Sequence, residues 1–368
     1  MIKKTSPKKN KPTAIKVAEI GLIGTVIAAG IGTLGLIINS TITAAQNQYM
    51  FEAETMVAKA TSSASIPQTS QPQTYKYPIP KINPLPNSIA GKIAFFRAQG
   101  NNENYIIANS DDSNEMLIVK ANWSIACPRI APGGEKMVFD SAYEGRGSVY
   151  VINQDGSNLK RLTDPSTAAH EDGCASWSPD GSRIIYARQY SISNDIYAMN
   201  SNGEDQKNLT NIFSLGTPPS SNSFSEFPWS PDGQRIVFDS NRGGFYKLYI
   251  MDENGGNLVQ ITKNLGIEEY GAVWAPNRNE IAYVSTGGLN NNTDIFTLNL
   301  DDPTAKPINI TNNQYHNTEP VWSPDGTQIL FVSNRDGNSD LYIMNSDGSD
   351  VRQITDTPEP ESNPSWLR

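Results

Sequence analysis

Three copies of one pentapeptide govern what this chain can fold into: Trp177-Ser-Pro-Asp-Gly181, Trp229-Ser-Pro-Asp-Gly233 and Trp322-Ser-Pro-Asp-Gly326. Two weaker copies, Ile130-Ala-Pro-Gly-Gly134 and Trp274-Ala-Pro-Asn277, keep the same phase. The five anchors recur at intervals of 47, 52, 45 and 48 residues. A period of that size marks a repeat architecture, in which each unit buries its apolar face against the next.

Each anchor opens the same series. Pro-Asp-Gly is a turn signal: Pro presets φ, Asp bonds its own backbone, and Gly takes the position other residues avoid. A short apolar run follows, such as Ile184-Ile-Tyr186 or Ile329-Leu-Phe331. After a polar loop comes a second run, such as Leu248-Tyr-Ile250 or Leu341-Tyr-Ile343. An Asp-Gly or Asn-Gly turn appears in most copies, and the units end on Leu162-Thr163, Leu209-Thr210, Ile261-Thr262, Ile310-Thr311 and Ile354-Thr355. These runs are short, β-branched and aromatic, and bounded by turn residues, so they read as strands. With the segment before each Trp, every unit has four strands, the pattern of a propeller blade.

Residues 92–120 hold three strand-like runs without a leading Trp segment, and the chain ends on Pro364-Ser-Trp366, an anchor with nothing after it. The last strand is therefore expected to complete the first blade. That gives an all-β fold: a six-bladed β-propeller with four-stranded blades over residues 89–368, whose ring closure leaves no strand edge open.

The Trp-Ser-Pro-Asp-Gly, Ser-x-Arg, Ile/Leu-Tyr-x-Met, Asp-Gly, Leu-Thr series resembles the WD40-like (PD40) repeat of the TolB-type propeller over roughly residues 90–368. True TolB carries a small α/β domain ahead of its ring, and prolyl-oligopeptidase-type enzymes carry an α/β-hydrolase domain beside theirs. The sequence here offers room for neither. The resemblance implies the fold more strongly than any particular biology.

The net charge of −9 is unevenly distributed. Residues 1–16 carry six lysines and no acid, so the remainder carries 23 basic and 38 acidic residues, or −15. An acidic ring argues against nucleic acid as a partner, because phosphate binding needs a basic face. Residues 20–38 contain no charge. As a helix they reach roughly 29 Å, near the hydrocarbon thickness of a bilayer. The expected organisation is a basic cytoplasmic tail (1–18), a transmembrane signal-anchor helix (19–40), a Pro/Ser/Gln-rich linker (41–88) and the propeller. The lysines should stay cytoplasmic, placing the ring on the periplasmic or extracellular side. A cleaved signal peptide is the rival reading, and either one exports the ring. The proline-rich part of the linker, 59–88, could hold the ring up to roughly 90 Å from the membrane at ~3.1 Å per residue.

Segments just before the innermost strands are acidic: Glu171 and Asp172, Glu226, Glu268 and Glu269, Glu319, then Glu359 and Glu361. By period they are expected at one mouth of the central channel, where focused negative potential would attract a cation or a basic peptide. Oxygen ligands of this kind suit Ca2+, so Glu171, Asp172, Glu226, Glu268, Glu269 and Glu319 are the candidate metal or partner-binding residues. The competing reading is a set of solvated loop carboxylates. No other cofactor is indicated. His170 and His316 lie in loops beside these segments and stay open as auxiliary ligands. Cys127 and Cys174 lie one period apart, each three residues before an anchor. Rotational symmetry points such side chains the same way, so two buried thiols are expected rather than a bridge.

No Gly-x-Ser-x-Gly elbow, Cys-x-x-Cys or phosphate-binding Gly loop occurs. The expectation is a membrane-tethered scaffold that binds a protein through one face of the ring and is not an enzyme. The alternatives are a propeller enzyme acting on polysaccharide, which two histidines disfavour, and a Ca2+ or small-ligand sensor using the channel mouth.

Overall fold

The computed structural model describes residues 83–86, 90–100, 102–121, 126–142, 144, 146–164, 170–190, 194–210, 222–223, 228–287 and 292–367. The expected tail, the expected anchor helix and residues 41–82 and 87–88 of the expected linker lie outside them.

Among the described residues, twenty-four strands form six four-stranded antiparallel sheets. Blade 2, for example, is Ala126–Ile130, Lys136–Ser141, Ser148–Asn153 and Lys160–Arg161, from the innermost strand outward. Blades 3, 5 and 6 follow the same order from innermost strands His170–Trp177, Glu269–Trp274 and Asn317–Trp322. Blade 1 takes its innermost strand, Glu361–Trp366, from the end of the chain and its other three from Lys92–Ala121. Ile93 pairs with Trp366, and Arg97 with Glu361. The ring closes as the sequence leads one to expect.

The repeated residues explain the repeated geometry. In each Ser-Pro-Asp-Gly turn the Asp carboxylate accepts from the Ser hydroxyl and from the amide two residues on, as Asp180 does from Ser178 (2.6 Å) and Ser182 (3.0 Å). The same bonds recur at Asp232 and Asp325, and each of these carboxyls is held below its ordinary pKa, chiefly by the Ser hydroxyl. The closing Thr stands in for a strand partner: Thr163, Thr210, Thr262, Thr311 and Thr355 each accept a third-strand amide on Oγ1. The Thr210 and Thr311 hydroxyls in turn donate hydrogen bonds to the Asp195 and Asp294 carboxylates, which makes those aspartates structural.

The core lies between blades. Six apolar clusters each join two neighbouring blades, such as Val138, Val149 and Leu162 against Ala175, Trp177 and Ile184. Trp177, Trp274 and Trp322 each reach back to donate to a carbonyl of the preceding blade, on Arg129, Pro228 and Val273. These three tryptophans therefore lock adjacent sheets as well as filling volume. Residues 83–86 join on the same side of the ring as the Pro-Asp-Gly turns: Leu85 is buried beside Ile118 and Met137, and its amide donates to Gln154.

Candidate functional site

The site grows from one irregularity repeated around the ring. Each innermost strand of blades 1, 2, 3, 5 and 6 shifts register against its neighbour just before the Trp position. The residue three before the anchor is left-handed there: φ is 46° at Cys127, 48° at Cys174, 65° at Gly271, 54° at Glu319 and 49° at Asn363. Only the glycine takes that conformation freely; the other four carry backbone strain held by the surrounding sheet. A bulge of this kind re-aims a side chain. These five residues line one chamber of the central channel, about 430 Å³ in volume. Tyr270, Val273, Val284 and Val321 supply apolar wall, and Arg129 and Asn363 supply polar groups. A smaller chamber of about 110 Å³ lies toward the turns, ringed by Trp177, Trp229, Trp274 and Trp366. Arg129 lines both and marks their junction.

Two carboxyls set the electrostatics. Glu319 faces solvent inside the chamber while protein surrounds it, so burial raises its pKa against the Asn363 amide, which donates at 2.6 Å, and the Arg129 charge. Asp140, on the second strand of blade 2, accepts the Cys174 amide at 3.0 Å. Burial pushes it up to about 6, against that hydrogen bond and Arg129.

Among the described residues, the predicted carboxylates are not brought together. Asp172 is buried in a two-pronged pair with Arg188, at 2.8 and 3.0 Å. Glu269 is buried against Lys247 at 3.1 Å and Asn264 at 2.9 Å. Glu268 accepts the Tyr246 amide at 2.7 Å, and Glu171 is exposed. Glu226 lies outside the described residues. Of the described candidates only Glu319 lines the channel. The physical reason is strand alternation: the fifth residue before the anchor points between blades, whereas the third, freed by the bulge, points to the axis. His170 sits 3.8 Å from Asp172, and burial lowers its pKa; His316 is exposed beside Thr293. Neither lines the chamber.

The two cysteines are bonded to each other, with Cα atoms 5.1 Å apart. The expectation of separate thiols is corrected. Equivalent side chains diverge when they point between blades, but those that point at a common axis converge.

The TolB beta propeller domain family (PD40) matches residues 75–221 and 273–368. An uncharacterized protein of Agrobacterium fabrum is 31% identical over 130 residues, 35% of this chain and 42% of that protein. The uncharacterized peptidase YuxL of Bacillus subtilis is 35% identical over 97 residues, 25% of this chain and 15% of that protein. The chain thus spans less than half the length of either relative. The crystal structure of TolB from Acinetobacter baumannii superimposes with a TM-score of 0.61 at 19% identity, covering 77% of this chain and 68% of that one. The likeness to a protein named as a peptidase overturns one expectation: these repeats do not mark their bearer as a non-enzyme. With the repeat matched over most of the ring, the chain belongs to the TolB beta propeller domain family.

Proposed function

We propose that this chain is an exported, membrane-tethered propeller that docks a protein partner through the wider mouth of its channel. The observation that carries the reading is the chamber of about 430 Å³, whose walls are largely apolar and whose few polar groups, Glu319, Asn363 and Arg129, converge on it. That composition is what a binding cavity needs: apolar area for affinity and a few fixed polar groups for orientation. The occupant is a loop or chain end of the partner, narrow enough to enter the ring. Residues 83–86 join the ring on the tryptophan side, so the wider chamber lies at the other end of the channel from that segment. Residues 19–40 anchor the chain in the cytoplasmic membrane.

The test is site-specific photo-cross-linking in intact cells. A photoreactive side chain at Asn363, inside the chamber, should give a discrete protein adduct; the same group at Val259, exposed on the outer rim, should not. No adduct from position 363, or equal adducts from both, would defeat the docking reading. Recovery of the chain in the soluble fraction after lysis, without detergent, would defeat the tether.

A further inference from the structure

We propose that Cys127, Cys174 and Asp140 form a redox-gated site for a thiophilic divalent cation, closed while the cysteines are bonded and opened by a dithiol reductant. Three observations carry it, none of which depends on a protein partner. First, the two sulfurs and a carboxylate oxygen of Asp140 lie within 4.8 Å of one another, the one such grouping of three ligand side chains among the described residues. Second, the site is reachable, since Cys127 and Cys174 both line the chamber and Cys174 is exposed to it. Third, the backbone presets the ligands. The two left-handed bulges aim both sulfurs at the axis, and the Cys174 amide ties down the Asp140 carboxylate. Gly173 leaves room for that carboxylate, because a Cβ there would come within 3.1 Å of it.

In the gating step a dithiol thiolate attacks one sulfur of the pair. A mixed disulfide forms and then resolves, leaving the reductant cyclised and two electrons and two protons on Cys127 and Cys174. Binding of the cation displaces the two thiol protons. Two thiolates and one carboxylate then carry three negative charges, balanced by the divalent ion and the Arg129 guanidinium. Two sulfurs and one oxygen suit zinc or cobalt rather than calcium. Three protein ligands leave a fourth position facing the chamber, the arrangement of an open rather than a purely structural site.

The full-length chain, reduced with dithiothreitol and desalted without oxygen, is titrated with Co2+. We expect one cobalt per chain with a sulfur-to-cobalt charge-transfer band, and neither in the oxidised chain. Cys174→Ser should abolish the band. Asp140→Asn, which can still accept the Cys174 amide, should weaken binding about tenfold or more, the scale that even outer-shell partners reach. Circular dichroism of each sample reports whether the ring is folded. A folded, reduced chain that takes up no cobalt would overturn the proposal. So would uptake unchanged by Cys174→Ser, or a pair that cannot be reduced without unfolding the ring.

Discussion

Arg97 and Glu361 stand 264 residues apart in sequence and 2.6 Å apart in space, where the last strand enters the first blade. The Glu361 carboxylate has no solvent exposure and also accepts the hydroxyls of Thr355 and Thr357, so one side chain ties blade 6 to the closure of blade 1. Removing a partner from a buried pair costs about 3–5 kcal/mol, because the survivor keeps its desolvation penalty. Arg97 retains Glu115 at 2.7 Å, which places Glu361→Ala toward the lower end, near 3 kcal/mol. Urea unfolding followed by tryptophan fluorescence would show the loss. A variant within about 0.5 kcal/mol of the parent, the scale of ordinary surface substitutions, would mean that the closure rests on strand pairing alone.

The Asn-Gly and Asp-Gly turns do more than reverse the chain. Gly255 is left-handed, at φ 85°, and a Cβ there would sit 2.5 Å from the Leu209 carbonyl oxygen of the preceding blade. Gly348 meets Ile310 in the same way. Gly255→Ala combines a left-handed penalty of about 1–2 kcal/mol with a steric clash against backbone, so its cost should exceed that range. Gly243 has open space around it and no positive φ, so Gly243→Ala is the matched control and should be near neutral. Thermal melts of the two variants check the contrast.

The ring was legible in the sequence because its determinants are local. Asp325 acts within its own turn, Thr355 within its own blade and Trp322 on the blade just before, and each recurs in phase. The site was less legible because it depends on where a side chain points. Asp172, Glu269 and Glu361 fall five residues before their anchors and turn into the blade interfaces, while Glu319 falls three before and turns to the axis. The two-residue difference was visible; the bulge that gives it meaning was not, because Cys127, Glu319 and Asn363 share no residue type that advertises a left-handed backbone. Blade 4, which runs from Asn222–Ser223 through Arg235–Ser240 and Lys247–Asp252 to Val259–Gln260, hides a further shift. Asn222 pairs with Ser240 seven residues before Trp229, whereas Glu269 and Asn317 make the equivalent pairs five residues before theirs.

Cross-linking Cys127 to Cys174 joins neighbouring innermost strands across 47 residues. On the chain-entropy account a loop of that length is worth about 4 kcal/mol, through restriction of the unfolded chain. Cys127→Ser and Cys174→Ser should each lower stability on that scale, and the double variant should lose no more than either single one, since the bond is lost once. Parallel urea titrations of the three variants, and of the parent with and without dithiothreitol, test the non-additivity. Summed losses in the double variant would show that each sulfur contributes by packing instead.

Asp140 makes stability depend on pH in the direction opposite to a salt-bridged carboxylate. Its pKa is about 6 in the folded chain, against roughly 3.9 when unfolded. Between those values the folded state binds the proton and the unfolded state does not, so stability rises as pH falls from about 6 toward 4. Above 6 the buried charge is a constant penalty, of at most about 3 kcal/mol for a shift near two units. Burial shifts Glu319 in the same sense. Asp140→Asn removes the charge and can keep the bond to the Cys174 amide, so the variant should be the more stable protein at pH 7 and lose that advantage by pH 4. Chemical denaturation of both proteins across pH 4 to 7.5 decides the matter. Parallel stability curves would mean that the Asp140 carboxylate is charged in the folded ring throughout, with Arg129 as its compensating partner.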